Sequence, residues 1–239
     1  MPKRGKKYLE AVQKVDQDRA YAPQEAIELV KEVSYTNFDG TVELHLRMML
    51  DPRRSDQQIR GVVRLPYGLG KPVRVLVFAA GEDAQIAREA GADFIISDDE
   101  GIQKIMNGWV DFDVAIAVPD MMRQVGRLGR VLGRRGLMPT PKTGTVVQPE
   151  DLPRVIDESK AGRVEYRLDR SANIHCAIGK VSFPEEHLLG NLAAIMDTIR
   201  RVRPPASKGI YVKRVTLAPS MGPGIRVDTA QALALESGK

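Results

Sequence analysis

VRVLVFAAGEDAQIAREAGA, residues 73–92, is the stretch on which the fold turns. It opens on an apolar, largely β-branched run at 73–79, the pattern of a strand buried on both faces. EDAQIAREAGA then has helical spacing and a glycine, Gly91, placed to stop it. Downstream the alternation continues. A weaker strand is expected at 94–96, a helix at 101–107, the strand DVAIAVP, and a helix beginning near Asp120. Strand and helix in turn predict a parallel sheet with helices on its faces, a Rossmann-like α/β domain.

The two ends of the chain read differently. TVELHLRMM at 41–49 places Val42, Leu44, Leu46 and Met48 on one face and Glu43, His45 and Arg47 on the other, as in a sheet with one wet side. RVEYRL, NIHCAIGKV and YVKRVTL repeat the alternation after residue 162. Helices are expected at 24–32, opened by Pro23, and at 185–203, where Leu188, Leu189, Leu192, Ile195, Met196 and Ile199 form a stripe. Neither end supplies enough elements for a core, so both together are expected to make one α+β domain with an antiparallel sheet and helices. Turn-rich LPYGLGKP and SKAG set the cuts. The discontinuous domain is expected at 1–69 and 159–239, and the inserted α/β domain at 70–158.

Charge follows the same division. Residues 1–69 hold 12 basic and 10 acidic groups, residues 159–239 hold 13 and 7, and residues 70–158 hold 11 and 14. Yet 121–148 contains six cations and no Asp or Glu. Its loudest part is GRLGRVLGRRGLMPTPKTGT at 126–145, a cationic island in an otherwise acidic domain. The formal net charge of +5 by itself says little about partners.

Several chemistries are excluded or disfavoured. The single cysteine, Cys176, cannot close an intramolecular disulfide, and no Cys/His cluster has metal-ligand spacing, so no metal is expected. No apolar run is long enough to span a membrane, and MPKRGKKY lacks the apolar core of a signal peptide; a cytoplasmic protein is expected. A nucleotide cofactor would need a glycine-rich turn after the first strand. AAGEDAQ puts Glu82 and Asp83 there instead, and Pro72 stands where GLGKP would need Ser or Thr. His175 and Cys176 are strand neighbours and point to opposite faces, which removes the nearest nucleophile–base pair. No cofactor, catalytic residue or small-molecule substrate is expected.

Three segments of the outer domain mix cations, small residues, hydroxyls and exposed apolar groups, the mixture that folded RNA requires. They are TNFDGT at 36–41, KAGRVEYRLDR at 160–170 and APSMGPG at 218–224. Each also reads as ordinary structure: Phe38 as a core residue, the Arg/Glu alternation as a solvated sheet face, Pro-Ser-Met-Gly as a turn. An α/β enzyme acting on a phosphorylated metabolite through the Gly/Arg island is the competing reading.

FDGTVELHLRMMLDPRRSDQQIRG, LPYGLGK, GWVDFDVAIAVPDMM, GRLGRVLGRRGLMPTPKTGTV, KAGRVEYR, GKVSF and SMGPG, in that order, resemble the ribosomal protein L-one family. The resemblance implies a non-enzymatic, two-domain protein of the large ribosomal subunit. Its discontinuous domain would bind large-subunit ribosomal RNA, its inserted domain would meet exit-site transfer RNA, and the protein would repress translation by binding the messenger of its own operon. Matching residues for ribosomal RNA are Phe38, Thr41, Arg163, Glu165, Arg167, His175, Lys180, Ser220, Met221 and Gly222. Arg127, Arg130, Arg134, Arg135 and Lys142 would face transfer RNA. Within this scheme Ser220 would bond a ribose hydroxyl, Met221 and Phe38 would pack on sugars or bases, Arg163, Arg167 and Lys180 would meet phosphates, and Glu165 would orient an arginine.

Overall fold

The computed structural model describes residues 5–236. The first four residues of the basic start MPKRGKKY and the last three of the tail lie outside them. The chain divides into two compact units, one made of Met1–Gly70 and Val164–Lys239, the other of Lys71–Arg163.

Along the first length run α1 (Lys6–Gln13), α2 (Pro23–Glu32), β1 (Thr41–Met48) and β2 (Arg60–Arg64). The middle carries β3 (Val75–Phe78), α3 (Glu82–Glu89), β4 (Phe94–Ile96), α4 (Asp99–Met106), β5 (Val114–Ala117), α5 (Met122–Val125), α6 (Gly129–Arg135) and α7 (Leu152–Lys160). The last length supplies β6 (Arg163–Arg167), β7 (Asn173–Lys180), α8 (Glu185–Arg201), β8 (Val212–Pro219), β9 (Ile225–Val227) and α9 (Thr229–Ala234).

The discontinuous unit is built on an antiparallel sheet in the order β7-β1-β8-β9. Its central strand, β1, comes from the N-terminal length and both of its neighbours from the C-terminal one. Val42, Leu44, Leu46 and Met48 alternate inward, as the period of two requires, and are almost fully buried. Ile174, Cys176 and Ile178 on β7 and Val215 and Leu217 on β8 meet them, with α2 and α8 packed over that face. Burial of Cys176 pushes its thiol up to about 12, which leaves it an inert core group. The stripe of α8 goes into this core through Leu188, Leu192, Ile195, Met196 and Ile199. β2 and β6 form a separate two-stranded sheet.

In the middle unit three parallel strands lie in the order β4-β3-β5. Successive side chains of β3 enter different cores. Val75 and Val77 pack with Ala87, Leu152, Val155 and Ile156 from α3 and α7. Leu76 and Phe78 pack with Ile102, Ile105, Val125, Leu128 and Leu132 on the opposite side. Both faces are covered, which explains why the strand carries no alternation.

The expected cut at 158/159 falls inside α7, and the second crossing lies at 163/164 instead. Leu152, Val155 and Ile156 hold that helix on the parallel sheet to its end at Lys160. The tail beyond Asp228, to which the sequence assigned nothing, contains α9, capped by the Asp228 carboxylate accepting from the Gln231 N–H at 2.8 Å.

Candidate nucleic-acid interface

At one end of the antiparallel sheet, residues 35–41 meet 219–222. The Ser220 N–H donates to the Thr41 carbonyl at 2.9 Å, while the Ser220 hydroxyl accepts from the Thr41 N–H at 3.0 Å. The Tyr35 hydroxyl donates to the Met221 carbonyl, and the Thr36 hydroxyl to that of Phe38. From β7, Lys180 Nζ reaches Thr41 Oγ1 at 3.0 Å and the Asp39 carbonyl at 3.3 Å. Ser182 closes the group, donating its N–H and hydroxyl to the Asp39 carboxylate at 3.1 and 2.7 Å. A Cβ at Gly40 would stand 3.3 Å from Thr36 Oγ1 and 3.5 Å from Ser220 Cβ, so a bare backbone there lets the two segments close.

This internally bonded platform presents two apolar side chains to solvent. Phe38 is 61% exposed and Met221 74% exposed. Phe38 is therefore not a core residue. Met221 also holds a left-handed backbone, φ 65°, which non-glycine residues adopt at a cost. A Cβ at Gly222 would lie 2.5 Å from Pro219 Cγ, so this turn accepts no side chain without moving.

Phe38, Thr41, Lys180, Ser220, Met221 and Gly222 are thus brought together. The others are not. Arg163 lies on the middle unit's side of the crossing, where its guanidinium donates to the carbonyls of Thr143 and, at 3.4 Å, Gly144. These bonds fasten it to that loop. Glu165 and Arg167 project from β6 in the two-stranded sheet, where Glu165 accepts from Arg60 Nε at 2.8 Å and Arg167 is exposed. His175 sits on the wet face of the main sheet, opposite His45, with Nδ1 atoms 2.8 Å apart. This pair lies four residue steps along β1 from Thr41, about 13 Å along the strand. Ser220, expected at a ribose hydroxyl, uses its own hydroxyl to fasten β1.

Sequence reasoning missed Tyr35, Asp39, Gly40 and Ser182. Asp39 was legible as part of TNFDGT, but its partner Ser182 is 143 residues away, and no local pattern announces such a bond.

The cationic island is largely helical, from a 3₁₀ turn at Pro119–Met121 through α5 and α6 to Gly136, whose φ of 72° ends it. Met121, Val125, Leu128 and Leu132 are buried, spaced 4-3-4. Arg123, Arg127, Arg130 and Arg134 repeat that spacing two residues on, and therefore stand on the opposite face, exposed. Arg135 is exposed beside them. None of these five has an ion-pair partner among the described residues. A Cβ at Gly126, Gly129 or Gly133 would meet nothing within 4 Å, so the backbone beside the arginines is open to approach. Lys142 is exposed on the loop that follows, braced by the Thr140, Thr143 and Thr145 hydroxyls at 2.7 and 2.9 Å.

At the first strand–helix turn Gly81 leads into α3 with Glu82 and Asp83 in its first turn. Among the described residues no helix is long and apolar enough to cross a membrane, and no group of three or more His, Cys, Asp or Glu could hold a metal ion.

Comparison with known proteins shows the family. Residues 30–223 match the Ribosomal protein L1p/L10e family. Large ribosomal subunit protein uL1 of Thermomicrobium roseum is 57% identical over 231 residues, covering 96% of this chain and 95% of the relative. The uL1 protein of Chloroflexus aggregans is 59% identical over 228 residues, covering 95% and 96%. That of Chloroflexus aurantiacus is 56% identical over 237 residues, covering 99% and 100%.

Proposed function

From the premise that the chain belongs to the Ribosomal protein L1p/L10e family, and so is a non-enzymatic, rRNA-binding constituent of the large ribosomal subunit, we propose how its surfaces divide that work. The discontinuous unit grips large-subunit ribosomal RNA through Phe38, Thr41, Lys180, Ser220, Met221 and Gly222. Arg167 and the Glu165-oriented Arg60 add phosphate contacts, and His175 extends the footprint along the wet face. The middle unit offers Arg127, Arg130, Arg134, Arg135 and Lys142 to exit-site transfer RNA. The same grip on the leader of its own operon messenger makes the protein a translational repressor.

One observation carries this reading. Two apolar side chains, Phe38 and Met221, stand in solvent on a platform fixed by at least six hydrogen bonds. A soluble protein seldom spends backbone strain to expose a methionine, whereas bases and riboses offer the stacked, partly apolar surface that such groups cover. The arginine stripe supports the second part in a different way. Cations without carboxylate partners remain available to phosphates, and their contacts are readily released.

Filter binding to large-subunit ribosomal RNA tests the grip. Phe38→Ala with Met221→Ala should weaken binding by about 2–6 kcal/mol, taking ~1–3 kcal/mol for each stacking group, with the melting temperature unchanged. Wild-type affinity in the double variant would remove both residues from the interface.

A further inference from the structure

His45 and His175 face each other across β1 and β7, and neither ring is a passive surface group. Their Nδ1 atoms are 2.8 Å apart, a separation that requires one proton between them. His45 Nε2 lies 3.6 Å from Glu43 Oε2, and His175 Nε2 lies 3.5 Å from Asp169 Oδ2. Two neutral imidazoles carry two protons in all. With one held between the Nδ1 atoms, a single proton is left for two Nε2 atoms that both face carboxylates. One ring must then turn a lone pair toward a negative oxygen. A third proton removes that conflict and gives the pair one positive charge. A fourth would set two Nδ1–H groups against each other at 2.8 Å and force the rings apart.

The pair borders a hollow of about 330 Å³ lined also by Arg47, Asn173, Lys213, Arg214 and Thr216. Arg47 is tied to the Ser171 carbonyl and to Asn173 Oδ1 at 3.2 Å. Lys213 and Arg214 are exposed on β8. On β9, Arg226 lies opposite Thr216 and donates to the Gln17 carbonyl at 3.4 Å. The charged groups around the rings are therefore Glu43, Asp169, Arg47, Lys213, Arg214 and, one strand further, Arg226. The two carboxylates hold the Nε2 sides, and the cations border the hollow.

We propose that the His45–His175 pair and the cations beside it form a phosphate site on the wet face, at which seating an RNA phosphate takes up one proton. This rests on the reading of the discontinuous unit as the ribosomal-RNA grip. An anion in the hollow favours the three-proton pair over the two-proton pair, and linkage makes the converse equally true: a proton on the pair tightens the anion. Burial, followed by the neighbouring His175 charge, holds His45 below the ordinary histidine range against the pull of Glu43, in keeping with a pair that resists becoming doubly charged. Burial draws Asp169 upward, but the N–H groups of Asn173 and Ser171 and the His175 ring outweigh it and keep the carboxylate ionised.

Two measurements on the full chain decide the matter. Affinity for a large-subunit ribosomal RNA transcript is measured from pH 8.5 down to 6.0 at fixed ionic strength. Wild type should tighten toward a limiting slope of about tenfold per pH unit, the signature of one proton taken up. His45→Gln with His175→Gln should flatten the slope, so that the loss relative to wild type grows as the pH falls from 8.5 to 6.0. A slope that survives in the double variant, or tight wild-type binding that ignores pH, overturns the proton coupling and leaves the RNA reading standing. Absence of binding at every pH overturns that reading and this one with it. The second measurement needs no variant: imidazole ¹⁵N resonances of the RNA complex at pH 6.0 should show both Nε2 atoms protonated and one Nδ1 proton shared. Two bare Nδ1 atoms, or two fully protonated ones, would refute the shared-proton pair.

Discussion

The two candidate interfaces are built by opposite means. On the discontinuous unit the polar groups are largely committed to one another: Ser220 to Thr41, Ser182 to Asp39, Tyr35 to Met221, Lys180 to Thr41 and Asp39. On the middle unit Arg123, Arg127, Arg130 and Arg134 share one helical face with no carboxylate among the described residues to hold them. The first surface is fixed before its ligand arrives and can discriminate by shape. The second supplies charge without geometry and should accept any phosphate backbone that comes near. On the proposed division of labour, the site that must not let go and the site that must release differ in who already holds their side chains.

That contrast can be broken in four ways. The largest effect concerns folding itself. A fragment ending at Gly70 should show no cooperative unfolding by circular dichroism, since β1 would lose both neighbours. By contrast, a chain with Lys71–Arg163 replaced by a short linker should unfold cooperatively and still bind ribosomal RNA. A folded 1–70 fragment would contradict the shared sheet. Next, Gly222→Val should cost about 1–3 kcal/mol of ribosomal-RNA affinity in filter binding, because the added side chain presses on Pro219 and shifts the turn. Transfer-RNA binding should be indifferent to it.

Salt sharpens the comparison further. Replacing Arg127, Arg130 and Arg134 together by Gln should lower the slope of log affinity against log salt for transfer RNA by about 2–3, while leaving the ribosomal-RNA slope alone. Equal losses on both ligands would erase the division of labour. The smallest effect is expected from Ser220→Ala. It removes the acceptor of the Thr41 N–H and should cost about 1 kcal/mol of stability in denaturant titration, with RNA affinity reduced only in proportion to any loosening of the platform.

What could be read before the coordinates follows from which signals are local. β3 and β5 were legible because burial on both faces leaves an unbroken apolar run, and β1 because burial on one face leaves an alternation. The second crossing was misplaced because the SKAG breaker looked like a boundary, whereas the amphipathic stripe just before it belongs to the middle unit's core. β9, three residues long, and α9, six, are too short to have a period. At the interfaces, Phe38, Ser220 and Met221 announced themselves by residue type in turn-rich segments. The meeting of His45 with His175 did not, although each occupies a wet position of an alternating strand. That meeting depends on the register of two strands 130 residues apart, and register is written nowhere in either strand alone. The bonds of the Arg163 guanidinium to the Thr143 and Gly144 carbonyls were likewise illegible, since they join residues about 20 apart.

Placing β1 between two strands from the far end of the chain also sets an order of events during synthesis. When β1 leaves the peptide tunnel, β7 has yet to be translated; at about 5–20 residues per second the wait lasts on the order of 10 s. Throughout that interval its row of Val42, Leu44, Leu46 and Met48 is uncovered on the nascent polypeptide. The intervening segment, which has hydrophobic cores of its own, can complete its fold first, so the insert matures before its host, and the waiting strand is the part of this protein most in need of a chaperone.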